Sequence, residues 1–200
     1  MLRLFGYLKN HSKGSIRNNL KPMKVSDLPE VKTNWKSLYP GAKEDIPLKY
    51  SPPKGMMMEI TSFFDADHAH DQETRRSVTG IILFLMSTPV KWYSKRQNTV
   101  ESSTFGSEIV AGRITTDIVV EMRYKLRMLG VKVKKCSVVF GDNKSVILST
   151  SLPSSTLKKK HNAIAYHRIR EAVAAGIIRM IHVPGVENIA YILTCLLYTS

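Results

Sequence analysis

The hydrophobic pattern of the chain switches repeatedly between strand and helix character, and this limits the folds open to it. Residues 59–65 (EITSFFD), 78–86 (VTGIILFLM) and 90–95 (VKWYSK) read as three short strands. Ser87-Thr88-Pro89 is short enough to join the last two as an antiparallel hairpin. From 102 to 129 the period becomes helical. Ile109, Val110, Ile114, Ile118, Val119, Met122, Leu126 and Leu129 recur at helical spacing, Ser103 or Thr104 caps the start, and Gly130 closes the end. Residues 136–140 (CSVVF) are apolar apart from Ser137, as a buried central strand requires. Residues 143–150 and 159–175 read as helices, 177–183 (IIRMIHV) as a fifth strand stopped by Pro184-Gly185, and a last helix starts at Asn188. A meander followed by alternating helices and strands predicts an α/β fold, a mixed sheet covered by helices.

The amino-terminal quarter is different. Leu2, Leu4, Phe5 and Leu8 fall on one helical face ahead of Gly14, and so short a helix is expected to be the tail of something longer upstream. Residues 15–58 are rich in proline and read as an irregular connection that packs along a domain. Lys9 and His11 stand where an apolar signal core would continue, and the run 81–86 is too short to span a bilayer. No secretory or membrane-spanning segment and no membrane partner are therefore expected. Cys136 and Cys195 make neither a disulfide framework nor a paired metal spacing, so a reducing, intracellular setting is expected.

Charge narrows the function. Thirty Lys and Arg against 16 Asp and Glu leave a formal net charge of +14. That excess draws polyanions by steering and counterion release, which ranks nucleic acid first among partners and an anionic membrane surface second. Against this background three acidic residues stand out. Asp65 ends the first strand, Glu108 lies one turn into the long helix, and Asp142 directly follows the fourth strand. Singly each has an ordinary role: a turn opener, a helix-dipole partner, a helix cap. Jointly they sit beside a core, on three elements that the sheet brings together, and such carboxylates need neutralising. A divalent metal does this, and Mg2+ suits carboxylate oxygens. Asp67 shares the strand face of Asp65 and is expected to support it from behind.

The segments FFDADHAHDQETRRSVTG, VKWYSKRQNTVESSTFGSE, VVFGDNKS, KKKHNAIAYHRIREAVAAGIIRMIHVPGVENIA and YILT follow one another over about residues 56–194. In combination they closely resemble the ribonuclease H domain of copia-type long-terminal-repeat retrotransposon polyproteins. Residues 1–55 resemble the stretch joining the reverse transcriptase to that domain. The resemblance implies a ribonuclease H-like α/β fold: a five-stranded mixed sheet, three antiparallel strands and then parallel ones, with helices on both faces. It implies hydrolysis of the RNA strand of an RNA–DNA hybrid with two Mg2+ or Mn2+ ions, on Asp65, Glu108 and Asp142 as catalytic and metal residues. It also implies the reverse transcriptase region of the same polyprotein as a partner, and a cytoplasmic, virus-like-particle location.

Two departures follow. The family's fourth metal-binding aspartate belongs in an Ala-Asp pair at the start of the last helix, and this chain has Ala190-Tyr191. A tyrosine hydroxyl, with a pKa of about 10, cannot replace a carboxylate there at neutral pH. One metal between the three acids and a weakened second site are expected. The two readings are thus a nuclease, intact or impaired, and a noncatalytic nucleic-acid-binding module of the same fold. Residues 195–200 (CLLYTS) replace the Lys and Pro with which the family continues, and are expected to be a non-native tail; the hexapeptide is the translation of TGT CTC TTA TAC ACA TCT, which resembles a transposase sequencing adapter.

For the substrate, Arg75, Arg76, Lys95, Arg96, Lys158, Lys159 and Lys160 are candidate phosphate contacts, against the plainer reading of solvated faces. Asn143 and Gln97 are candidates for meeting the RNA strand. Trp92 and Tyr93 alternate across a strand, so one is expected in the core and the other outside. His161, His167 and His182 are candidate proton carriers, the first two read as packing or phosphate contacts rather than metal ligands.

Overall fold

The computed structural model describes residues 18–23, 33–68, 73–157 and 160–195. The helix expected at 1–14 and the end of the chain at 196–200 lie outside them. Seven strands are described: β1 Lys54–Met58, β2 Ile60–Ala66, β3 Val78–Leu85, β4 Thr88–Arg96, β5 Val131–Val133, β6 Ser137–Gly141 and β7 Ile178–His182. The helices are α1 Thr104–Met128, α2 Lys144–Ser151, α3 Ala163–Ala174 and α4 Tyr191–Cys195, with 3-10 turns at Lys160–Asn162 and Gly185–Glu187.

The main sheet has the order β4-β3-β2-β6-β7. β2 pairs antiparallel with β3 and β3 with β4, whereas β2–β6 and β6–β7 are parallel. This is the five-stranded mixed sheet that the resemblance implied. Helices α1, α2 and α3 cover one face, where Phe64, Ile81, Ile109, Val139 and Ile169 are buried in the main core. Fitting α1 against the sheet depends on two glycines. A Cβ on Gly112 would meet Ile169 at 3.3 Å, and one on Gly141 would fall 2.4 Å from the Phe64 ring. The other face carries α4 and a smaller cluster of Val138, Phe140 and Val183, packed with Phe63, Ile181 and Met23.

Several boundaries move for physical reasons. Met86 takes a positive φ of 58°, which tightens the hairpin so that Leu85 already pairs with Thr88. Thr88 and Pro89 therefore belong to β4 rather than to the turn. Pro89 is tolerated because β4 is an edge strand. Ser103 is the α1 cap, its hydroxyl accepting from Gly106 N at 3.3 Å, and Gly130 ends the helix with φ 72°. Asn188 precedes a turn, so the last helix starts at Tyr191. A short parallel pair, β1 with β5, was not expected from the sequence.

The connection is bound tightly to the sheet and helices. Arg123 on α1 is fully buried (0% exposed) and every one of its N–H groups is used. Nε and Nη2 donate to the Glu44 carboxylate at 2.6 and 3.0 Å, and the rest reach Lys134 O, Lys135 O and Ser137 Oγ. Arg127 adds a contact to Glu44 at 2.9 Å. Farther along, the Arg170 guanidinium lies 4.8 Å from the rings of both Trp35 and Tyr166, and donates to Ser149 O, Leu152 O and Pro153 O at the end of α2. Removing one partner from a buried ion pair costs about 3–5 kcal/mol. Glu44→Ala is therefore expected to lose stability on that order in urea denaturation, with Glu44→Gln losing less. Unchanged midpoints would show that the connection is not part of the folded unit.

Candidate metal centre

The sheet order places the acids. Phe63 of β2 pairs with Phe140 of β6. Asp65 and Asp142 each lie two positions farther on, so they emerge side by side at the carboxyl ends of neighbouring parallel strands. Ligand sites of open α/β sheets form at such ends. α1 crosses the same end, and Glu108 Oε1 accepts from Ala66 N at 3.2 Å. One oxygen from each of Asp65, Glu108 and Asp142 lies within 4.8 Å of the others. Asp65 and Glu108 are buried, Asp142 partly so.

The electrostatics are unfavourable without a cation. Burial pushes the Glu108 carboxyl well above its ordinary value, and the nearby Asp65 and Asp142 carboxylates push it further. Burial also raises Asp65, with the Thr194 hydroxyl opposing and Asp142 reinforcing the shift. Glu108 Oε2 is buried with no hydrogen-bond partner. A buried carboxylate with an orphaned oxygen, gathered with two other acids, has the donor chemistry of a hard divalent cation site, so the residues present fit Mg2+ or Mn2+.

The other candidates separate. Asp67 does not join the cluster; its Oδ1 accepts from Val78 N and braces the ends of β2 and β3. Tyr191 opens α4 and is 59% exposed. His182, at the end of β7, has Nε2 3.0 Å from Asp142 O, whereas His161 lies 3.2 Å from Glu101 Oε2 and His167 2.6 Å from the Tyr39 hydroxyl. Lys95, Arg96, Arg113 and His161 line a cavity of about 260 Å³ between the end of β4, α1 and the start of α3. Arg75, with φ 56°, and Arg76 are exposed ahead of β3. Lys160 is exposed; Lys158 and Lys159 lie outside the described residues. Asn143 caps α2, its Oδ1 accepting from Ser145 N and Val146 N at 3.1 and 3.2 Å. Gln97 is a correction: at 3% exposure it cannot meet substrate as placed, because Nε2 donates to Thr79 Oγ1 and Ser107 O and locks β4 to α1. Trp92 is the exposed member of its pair and Tyr93 packs on the core.

Sequence reasoning passed over three residues at this centre. Thr194 Oγ1 lies 2.5 Å from Asp65 Oδ2, Asn188 Nδ2 donates to Phe64 O at 2.8 Å, and Gly185 passes so close that a Cβ would sit 3.3 Å from Asp142 Oδ2. Nothing in their spacing marks them, because each acts across the fold.

No family model matches the chain. Among sequence relatives, the retrovirus-related Pol polyprotein from transposon RE1 of Arabidopsis thaliana is 30% identical over 141 residues, which is 70% of this chain and 10% of the polyprotein. That from transposon TNT 1-94 of Nicotiana tabacum is 30% identical over 135 residues, 68% of this chain and again 10% of the relative. The chain thus spans about a tenth of the length of the curated relatives it matches. Among solved structures, the N-terminal RNase H domain of a Mycobacterium tuberculosis protein, fused to maltose-binding protein, superposes with a TM-score of 0.51 at 14% identity, covering 66% of this chain and 86% of that one. LC11-RNase H1 in complex with an RNA/DNA hybrid gives 0.51 at 12%, covering 66% and 89%. At these identities the likeness establishes a ribonuclease H-like fold.

The raised carboxyls set a pH dependence. In the metal-free protein Asp65 and Glu108 hold their protons more tightly folded than unfolded. Their contribution to stability is complete below the ordinary carboxylate range and is lost as pH rises through the raised values. Glu108→Gln removes the larger share. In EDTA its melting temperature is expected to exceed the parent's at neutral pH, by about 2–4 °C for each kcal/mol recovered, and to vary less with pH. A variant curve as steep as the parent's would contradict this electrostatic picture.

Proposed function

Because the chain is homologous to a segment of retrovirus-related Pol polyproteins and folds as a ribonuclease H, we propose that it is the ribonuclease H of a copia-type retrotransposon, hydrolysing the RNA strand of RNA–DNA hybrids during reverse transcription. The observation that carries this reading is the convergence of Asp65, Glu108 and Asp142 at one edge of a strongly basic chain. Residues 56–194 are the nuclease unit in this reading, 1–55 the link to the reverse transcriptase region, its partner, and 195–200 a non-native tail. Its setting would be a cytoplasmic virus-like particle. Among the described residues no helix is long and apolar enough to cross a membrane.

Asp65, Glu108 and Asp142 would hold Mg2+ or Mn2+. The bound cation, two in the full mechanism, would supply Lewis-acid activation of the phosphodiester and the attacking water. The chain's own residues do the rest. The Ala66 N–H fixes Glu108 Oε1, and the β2–β6 register fixes the spacing of the aspartates. Lys95, Arg96, Arg75, Arg76, Asn143 and Lys158–Lys160 are proposed to grip the sugar–phosphate backbone. Truncating any one of the cations that meets a phosphate should weaken hybrid binding uniformly across sequences and lower the slope of log affinity against log salt by about one. Lys95→Ala and Arg96→Ala in a salt titration test this, and unchanged slopes would exclude these two residues.

Tyr191 favours a second reading, a binding module whose chemistry is impaired, because no fourth acid joins the cluster among the described residues. Cleavage of a labelled hybrid in Mg2+ and in Mn2+ decides between them. The enzyme reading expects cleavage by the unmodified chain, reduced on the order of a hundredfold or more by Asp142→Asn. The module reading expects binding without cleavage, and gain of cleavage in Tyr191→Asp.

A further inference from the structure

The carboxylate cluster is closed on one side by α4, and the contact is made by a neutral group. Thr194, only 2% exposed, places Oγ1 at 2.5 Å from Asp65 Oδ2 and 2.9 Å from the carbonyl oxygen of Tyr191. A hydroxyl has one proton to give, and the shorter contact is the one to the carboxylate, as a charge-assisted bond should be. The position of Thr194 is tightly determined. Asn188, also buried, donates to Phe64 O at 2.8 Å and accepts from Ala190 N at 3.2 Å, pinning the turn before α4 to the residue beside Asp65. Gly80 pairs with Asp65 across β2 and β3, and a Cβ there would fall 2.7 Å from Ala190 O and 2.9 Å from Thr194 Cγ2. The Ser94 hydroxyl adds a bond of 2.5 Å to Leu193 O. α4 is short, yet it is held from β2, β3 and β4 at once.

The geometry points to Thr194 as a positioning residue, whose hydroxyl holds Asp65 in the orientation that meets Glu108 and Asp142 around a single divalent cation. This rests on the metal-dependent function proposed above and adds to it a residue, and a stoichiometry of one cation for the chain without nucleic acid. Three carboxylates carry three negative charges when ionised, and one divalent cation leaves a residue of one. A second cation would need further anionic donors. Among the described residues no fourth acid joins the cluster, and Thr194 meets it from α4 with an uncharged hydroxyl. The orphaned Glu108 Oε2 supplies the second, independent sign that the cluster lacks a ligand rather than being self-satisfied.

Mn2+ alone is the probe, titrated into the full chain without nucleic acid and followed by calorimetry and by the paramagnetic resonance signal of free Mn2+. The unmodified chain is expected to bind one Mn2+. Thr194→Val keeps the shape and removes the donor, and should weaken Mn2+ binding by about 10- to 100-fold, the usual cost of removing a partner that orients a metal ligand. Thr194→Ser restores the hydroxyl and should return the affinity to within about threefold. Ile60→Val, a core change at the opposite end of β2 from Asp65, should lower the melting temperature without moving the affinity. Equal affinity in Thr194→Val, or an equal loss in Ile60→Val, overturns the role of Thr194, and two Mn2+ per chain overturn the single-cation stoichiometry. Should Thr194→Val fail to fold by circular dichroism, Thr194→Ser still decides: a tenfold loss despite a retained hydroxyl overturns the role. An unmodified chain that binds no Mn2+ removes the metal-dependent reading and this one with it, whereas binding indifferent to Thr194 removes only this one.

Discussion

Three carboxyl groups within 4.8 Å of one another, two of them buried, are a repulsive arrangement in any medium short of bulk water. They can coexist only with protons on them or a cation among them. The rest of the molecule keeps them from moving apart. The parallel β2–β6 pairing fixes the aspartates in register, and the Ala66 amide holds the glutamate on the crossing helix. Gly112 and Gly141 give Phe64 room beneath them, so that helix and sheet close to the distance at which the acids meet.

Rigidity at the site is matched by rigidity on its borders. Arg123 and Arg170 are both buried cations whose N–H groups reach backbone carbonyls of neighbouring segments. Each also engages the connection, one through Glu44 and the other through Trp35. A planar guanidinium suits this task, because it can serve several acceptors at fixed angles while its face stacks on an aromatic ring. The basic excess of the chain is thus divided. Some cations hold the fold together internally, and Lys95, Arg96, Arg75 and Arg76 remain exposed on the surface.

Much of this was legible in the sequence because the signals are local. The α1 cap at Ser103, the terminating Gly130 and the apolar run that became β6 all follow from neighbouring residues. What escaped depends on distance. β1 is mostly exposed and carries three methionines, and β5 has three residues, so neither shows a strand pattern until they pair with each other. Gln97 is polar and follows a basic pair, which suggests a surface role; only the fold shows that it is buried and that its Nε2 donates to both β3 and α1. The three acids were identifiable because each interrupts an apolar segment, whereas Thr194 and Asn188 are ordinary polar residues whose roles exist only across the sheet.

The Glu44–Arg123 and Trp35–Arg170 contacts bear on where the folded unit begins. A cut anywhere between Trp35 and β1 would separate the sheet from the carboxylate that faces Arg123, from the aromatic ring that covers Arg170, or from both. A fragment that keeps both contacts therefore begins on the amino-terminal side of Trp35, well upstream of the boundary that the sheet alone would suggest.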